Sequence, residues 1–222
     1  MQQQDGVPPG PGRVAAPALT RRGPGSTREG RRSRERVLRA ALDLITEVGI
    51  DQVRLAEIAR RAGMSSGQVM YYFDTKEHIL LETLAWREYE DTERRRADLA
   101  KAGDDWARLD QFIESYLPGS RTDPTWKLWL EAWARAPHNA EVSEFLDALL
   151  TPWREDLADI VRHGAACGVF RLRGSAEDFT VRFCALLDGL AILRLRQPPG
   201  GSGQQPIELA AAAARAELAP AP

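Results

Sequence analysis

The chain has 222 residues, 43% of them hydrophobic and 28% charged, with a formal net charge of −2. That length can bury one large core or a small and a larger one, and the near-neutral balance excludes a chain that is basic throughout. Two cysteines, Cys167 and Cys184, lack the number and spacing of a disulfide framework or zinc site. No secretory leader is recognisable, and no run of about 18 apolar residues could cross a membrane, so a cytoplasmic chain without membrane contact is expected.

Charge is unevenly distributed. Residues 1–36 carry eight arginines against Asp5, Glu29 and Glu35, an excess of five positive charges, which leaves an excess of seven negative charges on the rest. A basic front on an acidic body suits a protein whose front meets a polyanion. Residues 1–25, rich in Pro, Gly and Gln, read as a flexible arm, with Arg13, Arg21 and Arg22 placed to reach a minor groove.

A first helix should begin at Ser26 or Ser33, carry Val37, Leu38, Ala41, Leu42, Ile45 and Val48 as its apolar stripe, and end at Gly49. Leu55, Ile58, Ala59 and Ala62 then share one face of a short helix. Gly63 supplies the turn, and Ser65 can cap a second short helix carrying Ser66, Gln68, Tyr71 and Tyr72. This is helix-turn-helix spacing, in which the second helix enters the major groove of double-stranded DNA. Residues 26–74 are therefore assigned to a DNA-binding unit and 75–222 to a helical effector-binding and dimerisation unit.

Asp74 or Thr75 should cap a long helix reaching about Lys101, a link between the two units. Trp106 to Leu117 forms a helical stripe closed by Pro118-Gly119. Asp123-Pro124 opens another, which bears Trp126, Trp129, Leu130 and Trp133. A further helix starts near Asn139, and Pro152 allows either a kink or a fresh start. After Gly168 comes an extended piece, Val169 to Arg173, and Ser175 then caps a helix with a wide apolar face from Phe179 to Leu193. Gly189 within it costs about 1 kcal/mol relative to Ala and suggests a close helix crossing. A loop over 197–206 precedes an alanine-rich, weakly held last helix, 207–218. With no strand and no repeat, the fold class is all-α: a three-helix helix-turn-helix domain plus a larger helical domain.

The residues RVLRAALDLITEVGIDQVRLAEIARRAGMSSGQVMYYFDTKEHILLETL resemble the DNA-binding domain of the tetracycline-repressor (TetR) family of bacterial regulators. Ala40-Ala41, Leu44, Gly49, Ile58-Ala59, Ala62-Gly63, Ser65, Gly67, the aromatic run 71–73 and Lys76-Glu77 carry the match. The rear segments WKLWLEAWARAP, WREDLADIVRHGAACGVF and ALLDGLAIL resemble the subgroup of choline-responsive BetI repressors. The resemblance implies a homodimer joined by a four-helix bundle from about 152–167 and 175–196. The chain departs from the family at Arg54, where Ser or Thr is common, and at Ser66 and Met70 on the recognition helix.

The expected function is a sequence-specific DNA-binding transcriptional regulator, a repressor released by a small-molecule effector. The rivals are a constitutive or architectural DNA-binding dimer without effector, and a helical adaptor that binds another protein. Arg31, Arg32, Arg54, Tyr71, Tyr72 and Lys76 are candidates for phosphate contact, with Ser65 as cap, while Ser66, Gly67, Gln68 and Met70 are candidates at the bases. An effector pocket is expected among Trp86, Tyr89, Phe112, Tyr116, Trp126, Trp129, Trp133 and Phe145, where an aromatic cage could hold a cation. Glu131, Arg135, His138 and His163 are possible polar anchors. Dimer contacts are expected from Trp153, Leu157, Ile160, Phe179, Phe183, Leu186, Leu187 and Leu190. Three scattered histidines and the absence of P-loop, dinucleotide or H-E-x-x-H motifs leave no cofactor, metal or enzyme activity to expect.

Overall fold

In the computed structural model the described residues are 28–196 and 205–219. The basic arm 1–25, its three arginines, a cap at Ser26 and most of the 197–206 loop lie outside them. Among the described residues there are nine α-helices and a single 3-10 turn, with no strand. None of the helices is long and apolar enough to cross a membrane.

Helix α1 (Arg28–Val48), α2 (Leu55–Ala62) and α3 (Ser66–Tyr72) form the front. They close over Leu38, Ile45, Ile58, Val69 and Phe73, each at most 2% exposed, with Ile50 and Val53 filling the turn between α1 and α2. Gly49 at φ 78° and Gly63 at φ 66° take the left-handed conformation that ends α1 and α2. At the latter the Met64 N–H reaches back to the Ala59 carbonyl at 2.9 Å. Helix α4 (Lys76–Leu99) is capped by Thr75, whose hydroxyl accepts from the His78 N–H at 3.0 Å. Its buried Glu82 is held by Arg34 of α1 and lies 3.6 Å from His78. Burial pushes the Glu82 carboxyl up, but His78 and Arg34 outweigh it and leave it below the ordinary range.

Behind lie α5 (Asp105–Tyr116), α6 (Pro124–Trp133), α7 (Ala140–Ala166), α8 (Ala176–Arg196) and α9 (Pro206–Leu218). Pro152 sits inside α7 as part of one continuous helix, so the fresh-start option does not apply. The Ser175 hydroxyl caps α8 by accepting from the Asp178 N–H at 3.0 Å. Helix α9 is firmly seated where only weak docking was expected. Ala210, Ala214 and Leu218 are fully buried, and Arg215 pairs with Asp110 of α5 at 2.6 Å. The Leu218 carbonyl accepts from the Arg171 N–H at 2.8 Å. Small alanines allow this close seat, which a hydropathy pattern does not register.

The front core does not stop at α4. It runs without a break into Leu128, Trp129 and Ala132 of α6 and Val142, Phe145 and Leu146 of α7. A second core joins α5, α7, α8 and α9.

Candidate functional site

At the front, the turn between α2 and α3 presents a polar surface. Ser65 and Gln68 form a reciprocal cap: the Ser65 hydroxyl accepts from the Gln68 N–H at 3.2 Å, and Gln68 Oε1 accepts from the Ser65 N–H at 2.8 Å. The expected base reader Gln68 therefore spends its acceptor on the cap and keeps its amide N–H groups for other partners. Ser66, Gly67 and Gln68 are exposed, as are Met70 at 56% and Tyr71 at 63%. Met70 is thus a surface side chain and not core. Tyr72 is half-buried and packs against the front core, so the Tyr pair divides into one outward and one inward ring.

Arg54 stands at the start of α2 with its side chain exposed. Its N–H donates to Glu57 Oε2 at 3.0 Å, so Glu57 reaches back to close a turn that position 54 itself does not cap. The guanidinium is left to solvent. Lys76 requires a correction. Its Nζ donates to the carbonyls of Val53, Ile50 and Asp51 at 3.0, 3.3 and 3.4 Å, so it clasps the loop between α1 and α2 instead of pointing at a phosphate. Arg31 and Arg32 are exposed on α1.

At the rear, a cavity of about 320 Å³ opens among α4, α5, α6, α7 and α8. Tyr116, Trp126, Trp129 and Trp133 line it, as their density on the sequence suggested. Four other candidates do not line it. Trp86 belongs to the front core, with Arg39 stacked 5.6 Å from its ring centroid, and Phe145 is buried in the same core. Phe112 lies one layer behind, its ring edge-on to Trp153 at 5.7 Å, and Tyr89 is 49% exposed. Trp153, expected at a dimer contact, instead forms part of the cavity wall.

The wall also carries charges that aromatic spacing alone did not reveal. Glu88 of α4 accepts from the Trp129 indole N–H at 2.6 Å and from the Trp153 indole N–H at 2.8 Å, one on each oxygen. Burial raises its carboxyl above the ordinary range, and the two indoles pull it only part of the way back. It acts as a peg that fixes two rings of the cavity wall. Asp188 of α8 accepts from the Tyr116 hydroxyl at 2.7 Å. Burial raises Asp188 too, against the pull of Tyr116 and Arg154, and burial likewise keeps Tyr116 protonated. Arg95 lays its guanidinium 3.5 Å from the Trp153 ring centroid, and its Nε donates to Asp156 at 2.9 Å. A carboxylate within an otherwise apolar stripe, Asp188 between Leu187 and Gly189-Leu190, was the available sequence signal.

The four possible anchors lie elsewhere. Glu131 and Arg135 belong to a contact between α6 and the helix-turn-helix. Lys127 Nζ donates to the Thr46 carbonyl at 2.8 Å, Glu131 Oε1 accepts from the Ile50 N–H at 3.4 Å, and Arg135 pairs with Asp51 at 3.0 Å. His138 closes the 3-10 turn, and His163 sits near the far end of α7. Helix α6 thus shows Trp126, Trp129 and Trp133 to the cavity and Lys127 and Glu131 to the front, with Arg135 just beyond its end.

The expected dimer contacts divide as well. Trp153, Leu157, Ile160, Phe179, Phe183, Leu187 and Leu190 are buried within the chain's own core; Leu186 alone of that set is exposed, at 39%. The wide stripe on α8 has two sides, and periodicity cannot tell which faces inward. The outward side is Val181, Ala185, Leu186, Gly189, Ile192 and Leu193. Gly189 meets nothing within 4 Å at the position of an added Cβ, so the crossing that would justify it is not made inside this chain.

Comparison with known proteins agrees with this layout. Residues 37–83 match the model for bacterial regulatory proteins of the tetR family, and residues 106–219 match the BetI-type transcriptional repressor C-terminal domain. The HTH-type transcriptional regulator BetI of Stenotrophomonas maltophilia is 33% identical over 115 residues, 50% of this chain and 57% of that protein. The BetI of Cronobacter sakazakii is 33% identical over 113 residues, 49% of this chain and 55% of that protein. These alignments span little more than half the length of those curated relatives. Among solved structures, a protein from Saccharomonospora viridis, described as a transcriptional regulator and solved in complex with choline, superposes with a TM-score of 0.73. It is 27% identical, over 85% of this chain and 98% of that one. The regulator FadR of Bacillus subtilis, solved with stearoyl-CoA, shares the fold at TM-score 0.68 and 17% identity, over 83% and 97% of the two chains. With one family model on the helix-turn-helix and another across the rear half, the chain belongs to the tetR family of bacterial regulatory proteins and carries a BetI-type C-terminal domain.

Proposed function

We propose that this protein is a homodimeric transcriptional repressor whose hold on operator DNA is released by a small organic cation. The observation that carries the effector class is the cavity wall: tryptophans and Tyr116 alternate with six carboxylates against three guanidiniums. Aromatic faces attract cations through their quadrupole, and a surplus of carboxylates in a half-enclosed site adds to that attraction. The choline held by the Saccharomonospora relative is a ligand of this class. The cavity itself argues against a rear domain that serves only to dimerise, since such a domain would fill its core.

On the DNA side, the exposed Arg54 and Tyr71 are proposed to touch phosphates and the exposed Ser66, Gly67 and Met70 to face base edges, with the exposed Arg31 and Arg32 of α1 as further phosphate candidates. The outward face of α8 is the proposed dimer seam, with Ala185 and Gly189 admitting a close approach of two helices. Helices α4 and α6 connect the sites. Lys76 and Glu88 lie near opposite ends of α4's first half, and the two working faces of α6 touch the cavity and the α1–α2 turn. A cation that spreads Trp126 and Trp133 would shift Lys127 and Glu131, and with them the spacing of the paired recognition helices. Such an effector acts only by its differential affinity for the two arrangements.

The test is a mobility-shift titration of the full chain on DNA flanking its own gene, with and without choline and related quaternary amines. A specific shift weakened by one of these cations supports the proposal. Specific binding indifferent to every cation removes the effector class, and absence of any specific shift removes the DNA-binding role in favour of an adaptor. Arg54→Ala should lower the salt dependence of binding by about one unit of slope, as expected for one lost phosphate contact, and Lys76→Ala should not.

A further inference from the structure

At the end of the molecule away from the helix-turn-helix, three metal-ligating side chains converge that neither site uses. His163 lies in the last turn of α7, Cys167 is the residue that caps its C-terminus, and Asp105 is the first residue of α5. The Asp105 Oδ1 lies 2.7 Å from His163 Nδ1, and Cys167 Sγ lies 3.9 and 4.0 Å from the two ring nitrogens. One ligand atom from each residue falls within 4.8 Å of the other two.

We infer that Asp105, His163 and Cys167 form a binding site for a borderline-soft divalent cation of the zinc type, which clasps the start of α5 to the end of α7. A tetrahedral zinc with Zn–N of about 2.05 Å and Zn–S of about 2.3 Å spaces those two ligands about 3.5 Å apart. The near-equal distances from the sulfur to both ring nitrogens place it off the lone-pair axis of either, so the Cys167 and His163 side chains must turn to meet one ion while the carboxylate opens by about half an ångström or more, a rotamer change that two exposed side chains can make. Thiolate, imidazole and carboxylate together select zinc over magnesium or calcium, which prefer all-oxygen sets.

Burial separates this group from a chance surface cluster. The Asp105 side chain is only 6% exposed, while His163 at 56% and the exposed Cys167 leave the solvent side open for the ion and a fourth, water ligand. Arg108 Nη1, 3.4 Å from Asp105 Oδ1, would turn outward; its side chain is 35% exposed and free to do so. The C-terminal end of α7 is also its negative pole, which favours a cation there. Cys184, the other thiol, is buried and raised to about 12, so it does not compete for metal.

The experiment uses untagged full-length protein, stripped by chelator, and zinc or cobalt chloride alone as probe. One ion per chain in calorimetry, with a thiolate-to-cobalt charge-transfer band in the visible–ultraviolet spectrum, is the expected result. Cys167→Ser should abolish the band, and His163→Ala should weaken binding at least tenfold. Cys167 is exposed, so Cys167→Ser leaves the fold intact and carries the test even if His163→Ala, which removes a partner of the buried Asp105, lowers stability. Zinc should raise the thermal midpoint of the parent in a concentration-dependent way and leave that of the double variant unchanged. Absence of binding at micromolar zinc overturns the inference, as does binding that survives in the double variant. Bound cobalt without the charge-transfer band removes Cys167 from the ligand set and overturns it in this form.

Discussion

The start and the middle of α4 solve burial in opposite ways. At its start the helix-turn-helix closes on aliphatic side chains and Phe73, and the buried acid Glu82 is met by both Arg34 and His78. Toward its middle the cavity wall buries Glu88 with two indole N–H groups, and among the described residues no cation lies within ion-pair distance of it. The front therefore favours a single arrangement and presents a fixed surface. The rear keeps a carboxyl raised by burial, a guanidinium on a tryptophan face and an unfilled volume, a condition that a ligand can improve. The contrast suits the proposed function, in which a rigid front reads DNA and a rear able to change senses a ligand.

The contrast is sharpest if the two ends are nevertheless one cooperative body, because the front core passes through Trp129 into α6 and α7. Phe73→Ala should cost about 3–5 kcal/mol, and the loss should appear as a single earlier unfolding transition by both circular dichroism and tryptophan fluorescence. Two transitions, with the tryptophan signal unmoved, would show that the front and rear unfold independently. Gly164→Ala probes the rear alone. An added Cβ would stand 2.2 Å from Phe170 Cδ2, so the ring must shift, an overpacking worth about 1–3 kcal/mol. The thermal midpoint should fall while the DNA affinity of the folded fraction stays at the parent value.

Glu88→Gln tests whether the buried acid serves the cage. The amide keeps one acceptor oxygen and turns its NH₂ toward the other indole, so one ring loses its peg. Removing the buried charge offsets part of the damage to stability. Effector affinity should drop by about 1–2 kcal/mol, near tenfold, with a far smaller change in midpoint. A variant that loses stability and keeps its affinity would make Glu88 a structural residue only.

The helices and caps were legible because they depend on local chemistry. Asp123-Pro124, Asn139 and Ser175 act as expected, each through its own side chain or ring. The cavity was half legible. Four of its aromatic residues follow from their density, but Glu88 and Asp188 are placed by how α4 and α8 rotate against three other helices, which no local pattern encodes. The same rotation decides that Phe179 and Leu187 face inward while Val181 and Leu193 face out. Lys76 went astray for a related reason. Its basic charge near a recognition helix suggests phosphate, yet the carbonyls of the α1–α2 loop need a donor and Lys76 is the one within reach.

The smallest expected effect distinguishes the ends by pH. Burial raises the folded-state Asp188 carboxyl above its unfolded value, so the folded chain holds that proton more tightly than the unfolded one. Above the raised value the buried charge costs stability, and as pH falls through it toward the ordinary carboxylate range the cost disappears. If the cavity takes the proposed cation, the Asp188 charge favours it, so affinity should decline over that same window while the empty protein gains from this group. Asp188→Asn still lets the side chain accept from Tyr116 and should reduce both trends, leaving the part contributed by Glu88 and Asp91, whose carboxyls on the same wall burial also raises. Glu82 runs the other way, because its lowered value contributes stability that is lost as pH falls. Acid should therefore loosen the grip of α1 on α4 while it relieves the cavity. Calorimetric titrations of the cation across that pH range, with thermal midpoints of the parent and the Asp188→Asn variant, measure both signs. Parallel pH profiles for the two proteins would mean that Asp188 does not bear the charge the cation meets.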